Sequence, residues 1–483
     1  MNSLLTLAIV VAYIALLFVV AHLSGSRRDG AAPRRHPRWL VLLALVSAPM
    51  TGITFISIPG SVGRDAFSYL QLNLGVIVAY AVIAYGLVPL YYRNKVTSLY
   101  EYLDNRFGVS SHATGAWFFL VSKILTASLR VFVVCMVLQQ LLCNALGVPF
   151  WATATLFMLL TWLYTRRGGV SSVIWADLIK TLCMVSCAVI SIVFVLDSLD
   201  ISLVEALKRG SERGLTKTLF LDDANDGRYF LKMFLSGVFM VIASSGLDQD
   251  LMQRVLSSDS QRSAQRNMVL SSIFQVLLIA LLLVLGAIFY LYIAEVGATE
   301  VKADEAFAFI ASREGMPMIM GSLLVLGVVA ATFSSTGGSL TALTTSFTVD
   351  ILRSKQRYNE AQKEKMHNVV HLAMASIVVA LVFIFEWWGN ESAIELFYRL
   401  GSYTYGPLLG MFAFGIFSKR AVCDRWVPVV AVVSPLLCLL LDHYSEVWFG
   451  GYHFGFELLL VNASFTILGL LLLSRQTDKN RCV

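Results

Sequence analysis

Polar residues in this chain cluster inside otherwise apolar runs, and three clusters have types and spacings that could do chemistry. The first is Leu45-Val46-Ser47-Ala48-Pro49-Met50-Thr51-Gly52-Ile53-Thr54-Phe55. Pro49 has no backbone N–H, so it frees a carbonyl one turn earlier, and Gly52 lowers helix propensity further. Ser47, Thr51 and Thr54 add hydroxyls. A helix unwound here would turn carbonyls toward a cavity, whereas a proline-kinked packing helix is the plain alternative. The second cluster is Ala243-Ser244-Ser245-Gly246, and the third is Ala331-Thr332-Phe333-Ser334-Ser335-Thr336-Gly337-Gly338-Ser339. Serine hydroxyls and backbone carbonyls are hard oxygen ligands suited to an alkali cation, although small residues also serve close helix packing.

Charges inside apolar runs form a second set of candidates, because such charges are costly and are usually functional or paired. Lys123 and Arg130 are seven residues apart and share a helix face. Asp177 and Lys180 are three apart and could neutralise one another. Lys232 and Arg399 lie nearer the ends of their runs, where long side chains snorkel to the interface. His367 and His371 stand four apart at one end of a run with no carboxylate between them, a poor metal pair. No HExxH, GxSxG or Walker motif is present, and no acidic pair is placed for general acid–base work, so an enzyme finds little support.

The elements that must position these residues follow from composition. Of 483 residues 57% are hydrophobic and 14% charged, with mean hydropathy +0.72. A soluble protein carries roughly 25% charged residues. The apolar residues come in long runs that do not alternate, which argues against a β-barrel and against a disordered chain. Runs of about 20 apolar residues mark membrane-spanning helices. They fall near 2–22, 39–60, 70–92, 110–143, 150–165, 171–196, 229–246, 268–294, 317–345, 366–388, 394–417, 427–442 and 456–474, about thirteen in all. The first reads as a retained span rather than a signal peptide. The second cluster thus sits on the seventh span, five after the span carrying the first. The seven cysteines include no CxxC pair and read as small apolar residues.

By these spans, about 24 of the 37 Lys and Arg fall in one set of loops. About eight fall in the other, five of them in the 197–228 loop. The bias places the richer set, which counts Arg254, in the cytoplasm, with the N-terminus outside and the C-terminus inside. The net charge of +6 is then a matter of topology, not of nucleic-acid binding. Val96–Gly108, with Tyr100, Leu103 and Phe107 on one face, reads as a short helix on the inner membrane surface.

Six segments in order resemble the sodium:solute symporter family, over nearly all the chain: MTGITFISIPG at 50–60, VTSLYEYLDNRFG at 96–108, GGVSSVIWAD at 168–177, DQDLMQRVL at 248–256, AATFSSTGGSLTALTTSFTVDI at 330–351 and YGPLLGMFAFGIFSKRA at 405–421. The wording is nearest to bacterial sialic acid members. The resemblance implies an all-α integral membrane protein of the leucine-transporter type, in which five helices repeat, inverted. Residues 1–483 would be one transporter domain, with an extra helix at 2–22, repeats at 39–196 and 229–417, and extra helices at 427–474. It implies a sodium site built from the carbonyls of Ser47, Met50 and Ala331 and the hydroxyls of Ser334 and Ser335. Asp177 matches an aspartate that holds a second sodium in some members, but the accompanying serines fall on Gly337 and Gly338, so one sodium per cycle is expected. Asp177 is then a second cation site or an ion-pair partner.

For substrate the resemblance points to Thr51, Thr54, Tyr69, Asn73 and Arg130. Arg130 stands where sialic acid members hold a carboxylate, which suits a guanidinium; a structural bond from Arg130 to a carbonyl is the alternative. The expected function is sodium-coupled symport of a small organic solute, such as a carboxylate-bearing sugar. A neutral sugar or polyol, or a non-transporting membrane sensor, are the rival readings. The expected partners are the solute, the sodium ion and the lipid bilayer, in a bacterial inner membrane.

Overall fold

The computed structural model describes residues 3–24, 36–94, 100–298, 301–311, 313, 318–352, 359–388, 393–450, 452, 454–455 and 457–475. Its helices in chain order are α1 (Ser3–Ser24), α2 (Arg38–Ser47), α3 (Gly52–Asp65), α4 (Tyr69–Val82), α5 (Val88–Asn94), α6 (Glu101–Arg106), α7 (Val109–Leu138) and α8 (Phe150–Leu199). They continue with α9 (Leu203–Glu212), α10 (Phe230–Val241), α11 (Gln249–Leu256), α12 (Gln261–Glu295), α13 (Ala306–Ala311), α14 (Met318–Ser346), α15 (Glu360–Trp388), α16 (Ala393–Phe417), α17 (Val427–His443), α18 (Ser445–Trp448) and α19 (Leu458–Leu472). Among the described residues, seven helices are long and apolar enough to cross a bilayer, or up to nine if each bent pair is one span. Leu5–Val20 and Leu458–Leu472 are shorter apolar helices.

Both expected breaks are present. α2 and α3 are bent by 55° across residues 48–51, and the helix ending at Gly246 is bent by 73° from α11. The first break follows from local chemistry. Pro49 cannot donate to Leu45, and the freed Leu45 carbonyl instead accepts from Gln275 Nε2 on α12 at 3.1 Å. Thr51 then caps α3 through a reciprocal capping box with Thr54. At the second break a π-helical turn, Ile242–Gly246, closes the first arm, and Asp248 caps α11 by accepting from the Asp250 amide at 2.8 Å. The unwound carbonyls of Gly246 and Leu247 accept from Tyr91 and Tyr100 hydroxyls at 3.0 and 3.1 Å.

Glycine sets the closest crossings. A Cβ on Gly75 of α4 would lie 2.2 Å from the Phe234 carbonyl of α10, and one on Gly237 would lie 2.1 Å from the Leu72 carbonyl. The two helices therefore meet backbone to backbone, as small residues allow in membranes.

Three expectations change. Helical hydrogen bonding runs unbroken from Phe150 to Leu199, where a loop was expected between 165 and 171; no proline interrupts that stretch. The surface helix reduces to α6, whose apolar side faces protein. Tyr100 and Leu103 are fully buried, Tyr102 stacks on Phe412 and Phe107 meets Phe414; residues 95–99 lie outside the described set. Arg254, counted as a loop charge, is only 1% exposed. Near span ends, Lys232 stands over the Tyr452 ring and Arg399 approaches Asp442 at 3.5 Å. His371 is held between Thr165 and Thr344 hydroxyls at 2.9 and 2.8 Å.

Candidate transport site

Between the two broken spans lies a cavity of ≈ 1090 Å³ of empty space, its open mouth included. Thr51, Thr54, Tyr69, Asn73 and Arg130 all line it. The breaks contribute Pro49, Met50, Ser244 and Ser245, while Lys123, Asp248, Asp250, Gln275 and Tyr405 complete its polar wall. Lys123 and Arg130 reach the same cavity because a spacing of seven keeps both on one face of α7. Arg130 Nη1 donates to Ser339 Oγ on α14 at 3.4 Å. Asn73 donates to the Tyr69 carbonyl at 2.8 Å, which fixes its amide on the wall.

Behind the first break is a buried ionic cluster. Asp177 and Lys180 on α8 are both 0% exposed and 3.3 Å apart. Asp177 Oδ1 also accepts from Ser334 Oγ at 2.7 Å and from Ser47 Oγ at 3.4 Å, so it ties α8 to α14 and to the end of α2. Asp177 Oδ2 lies 2.7 Å from Arg254 Nη1 on α11. Arg254 in turn meets Asp250 at 3.2 Å. Lys123 on α7 pairs with Asp248 and lies 3.8 Å from Asp250. A fully buried ion pair survives only when further hydrogen bonds serve both partners, and here Asp177 takes the Ser334 and Ser47 hydroxyls while Lys180 takes the Ser47 and Met50 carbonyls.

The five sodium positions inferred from sequence occupy this same region, each engaged by a protein group. Lys180 Nζ donates to the Ser47 carbonyl at 2.7 Å and to the Met50 carbonyl at 3.0 Å. Ser334 donates to Asp177, and Ser335 Oγ donates to the Ala331 carbonyl at 2.9 Å. The donor set is of the right chemistry for an alkali cation, and a cation already meets two of its carbonyls: the lysine ammonium. The second position is met in a similar way by Arg254. Its guanidinium passes where Gly338 leaves room, since a Cβ on Gly338 would lie 2.7 Å from Arg254 Nη2. The absence of a serine hydroxyl there thus accommodates an arginine.

Several wall and cluster residues were not singled out in the sequence. Asp248, Asp250 and Arg254 lie in a family-like segment that hydropathy alone places in a loop. Their signal was the helical i,i+4 spacing of Asp250 and Arg254 directly after the Ser-Ser-Gly break. Tyr405 opens one of the family-like segments without being marked as a wall residue, and Gln275 carries no local signal.

Residues 31–424 match the model of the sodium:solute symporter family. The sodium/sialic acid symporter SiaT of Proteus mirabilis is 24% identical over 453 residues, spanning 91% of this chain and 89% of that protein. The sodium/sialic acid symporter NanT of Aliivibrio fischeri is 22% identical over 440 residues, spanning 88% and 86%. A solved substrate-bound, outward-open Na+-coupled sialic acid symporter superposes with a TM-score of 0.82 at 20% identity, covering 98% of this chain and 99% of that one. The fold is therefore the leucine-transporter type, and the chain, a multi-pass membrane protein, belongs to the sodium:solute symporter family.

Proposed function

We propose that this sodium-coupled symporter imports a small carboxylate-bearing solute, and that Arg130 receives the carboxylate. The observation carrying this is the placement of Arg130 on the cavity wall with Thr51, Thr54, Tyr69 and Asn73. A guanidinium can hold a carboxylate through two parallel charge-assisted bonds, and hydroxyls and amides beside it suit a polyhydroxy body. Charge supports the reading. Lys123 and Arg130 line the cavity and, with Lys180 and Arg254 of the adjoining cluster, set four basic groups against Asp177, Asp248 and Asp250. An anion entering there brings the group to balance.

Sodium at the α2–α3 break would fix the unwound segment against α14 and so shape the wall that Thr51 and Thr54 present. Sodium then raises solute affinity, and the solute must raise sodium affinity equally. One sodium with one monoanion carries little net charge, so uptake would respond weakly to membrane potential. The basic-residue bias orients the chain with its N-terminal side outside and its C-terminal side in the cytoplasm.

Thermal unfolding of the purified protein tests the substrate class, with sugar acids, neutral sugars, polyols and amino acids each offered in sodium and in potassium. A ligand at a hundredfold excess over its Kd adds about 2.7 kcal/mol. Stabilisation by a carboxylate sugar in sodium only, lost in Arg130→Ala, is the expected result. Stabilisation by a neutral solute that survives Arg130→Ala overturns the assignment. A cysteine placed at Asp222 in the 197–228 loop should react with an impermeant reagent from outside the cell; protection there reverses the orientation.

A further inference from the structure

We propose that Lys180 is a tethered cation that competes with sodium for the first break, so that sodium binds only by displacing its ammonium from the Ser47 and Met50 carbonyls. The inference rests on the sodium-coupled reading above and adds a residue that sets sodium affinity.

Three observations converge on it. The first is geometry: Nζ donates at 2.7 and 3.0 Å to the two carbonyls that the break turns inward. These carbonyls lie at residues 47 and 50, on either side of Pro49, where α2 ends and α3 has not begun. The second is burial. Lys180 is 0% exposed, so its ammonium has exchanged water for these two carbonyls and Asp177. The third is charge. Asp177, Asp248 and Asp250 are matched by Lys123, Lys180 and Arg254, three against three, with Arg130 apart from them on the cavity wall. A sodium ion added to that balanced cluster brings an uncompensated charge into a low-dielectric site, which is unfavourable. Taking the ammonium charge away leaves a deficit of one that sodium fills.

The geometry also supplies the displacement route. Asp177 Oδ1 lies 3.3 Å from Nζ, so the ammonium can keep its carboxylate while releasing the carbonyls. Ser47 and Ser334 hydroxyls already meet at that carboxylate and remain next to the vacated position. If the carbonyls are free of the ammonium about one-tenth of the time, the apparent sodium Kd is raised roughly tenfold.

The test measures sodium binding without solute. Wild type, Lys180→Met, Lys180→Gln and Lys180→Arg are purified in detergent in choline chloride. Sodium replaces choline at constant ionic strength, with unfolding temperature and radioactive sodium binding as readouts. The neutral variants should bind sodium with half-saturation roughly tenfold or more below wild type, while Lys180→Arg should bind no tighter than wild type. Equal half-saturation in wild type and the neutral variants overturns the proposal, as does a neutral variant that folds but binds no sodium. Neutral variants that fold only when sodium is present support it, because sodium then takes over the missing charge. Neutral variants that fold in neither salt count against it. Sodium-gradient-driven uptake by wild type in vesicles is measured separately: its absence defeats the symport reading, whereas the binding comparison alone decides the role of Lys180.

Discussion

Replacing Asp177 by Asn removes one charge from a side chain that is 0% exposed and faces two cations, Lys180 at 3.3 Å and Arg254 at 2.7 Å. The amide keeps the volume and can still accept from Ser334, so packing is preserved and the effect is electrostatic. Removing one member of a buried pair costs about 3–5 kcal/mol, since the partner charge stays buried. At about 1.4 kcal/mol per factor of ten, that is roughly 140- to 3,700-fold in the folded-to-unfolded ratio. Asp250, 3.2 Å from Arg254, moderates the loss there, so the uncompensated charge falls mainly on the ammonium. Adding Lys180→Met to Asp177→Asn should therefore recover stability, with a favourable coupling of about 1–3 kcal/mol in the double-mutant cycle. Lys180→Met alone should be milder than Asp177→Asn, because Arg254, Ser47 and Ser334 still serve Asp177. The assay is unfolding in detergent in sodium-free buffer across the four proteins. Strictly additive losses, or a double variant no more stable than Asp177→Asn, would show that Lys180 does not depend on Asp177 for its charge.

Other perturbations probe the elements that hold the breaks open. Gln275→Leu should destabilise by about 1–3 kcal/mol, because it strips the donor from the Leu45 carbonyl and from Tyr80, each 3.1 Å from Nε2; an unchanged unfolding temperature refutes the role given to Pro49. Gly52→Ala should abolish solute binding, since its Cβ would lie 2.1 Å from Thr332 Oγ1 and push α3 off α14. Adding Thr332→Ala should restore part of that binding, and no restoration would mean the clash is not the cause. Tyr100→Phe removes the donor to the Leu247 carbonyl at the second break; it should cost about 1–3 kcal/mol in unfolding assays, while the same change at exposed Tyr85 should cost nothing measurable.

Much of this protein is legible in the sequence alone. The spans follow from hydropathy because a bilayer accepts only backbone that satisfies itself. The first break follows from Pro49 and Gly52 because proline's missing donor is a property of the covalent chain. The shared face of Lys123 and Arg130 follows from helical periodicity. These are local causes. The tertiary structure decided which cation meets which oxygen. Lys180 is three residues from Asp177 and the spacing suits a neutralising ion pair, yet its ammonium also reaches carbonyls 133 and 130 positions away. Arg254 looked like a solvated loop charge, but the second break swings α11 inward until it meets Asp177. Such contacts join helices far apart in sequence, and their identity is set by where packing brings long side chains to rest. In an interior without water, an ion takes whichever oxygens lie within reach, and only the assembled bundle determines which those are.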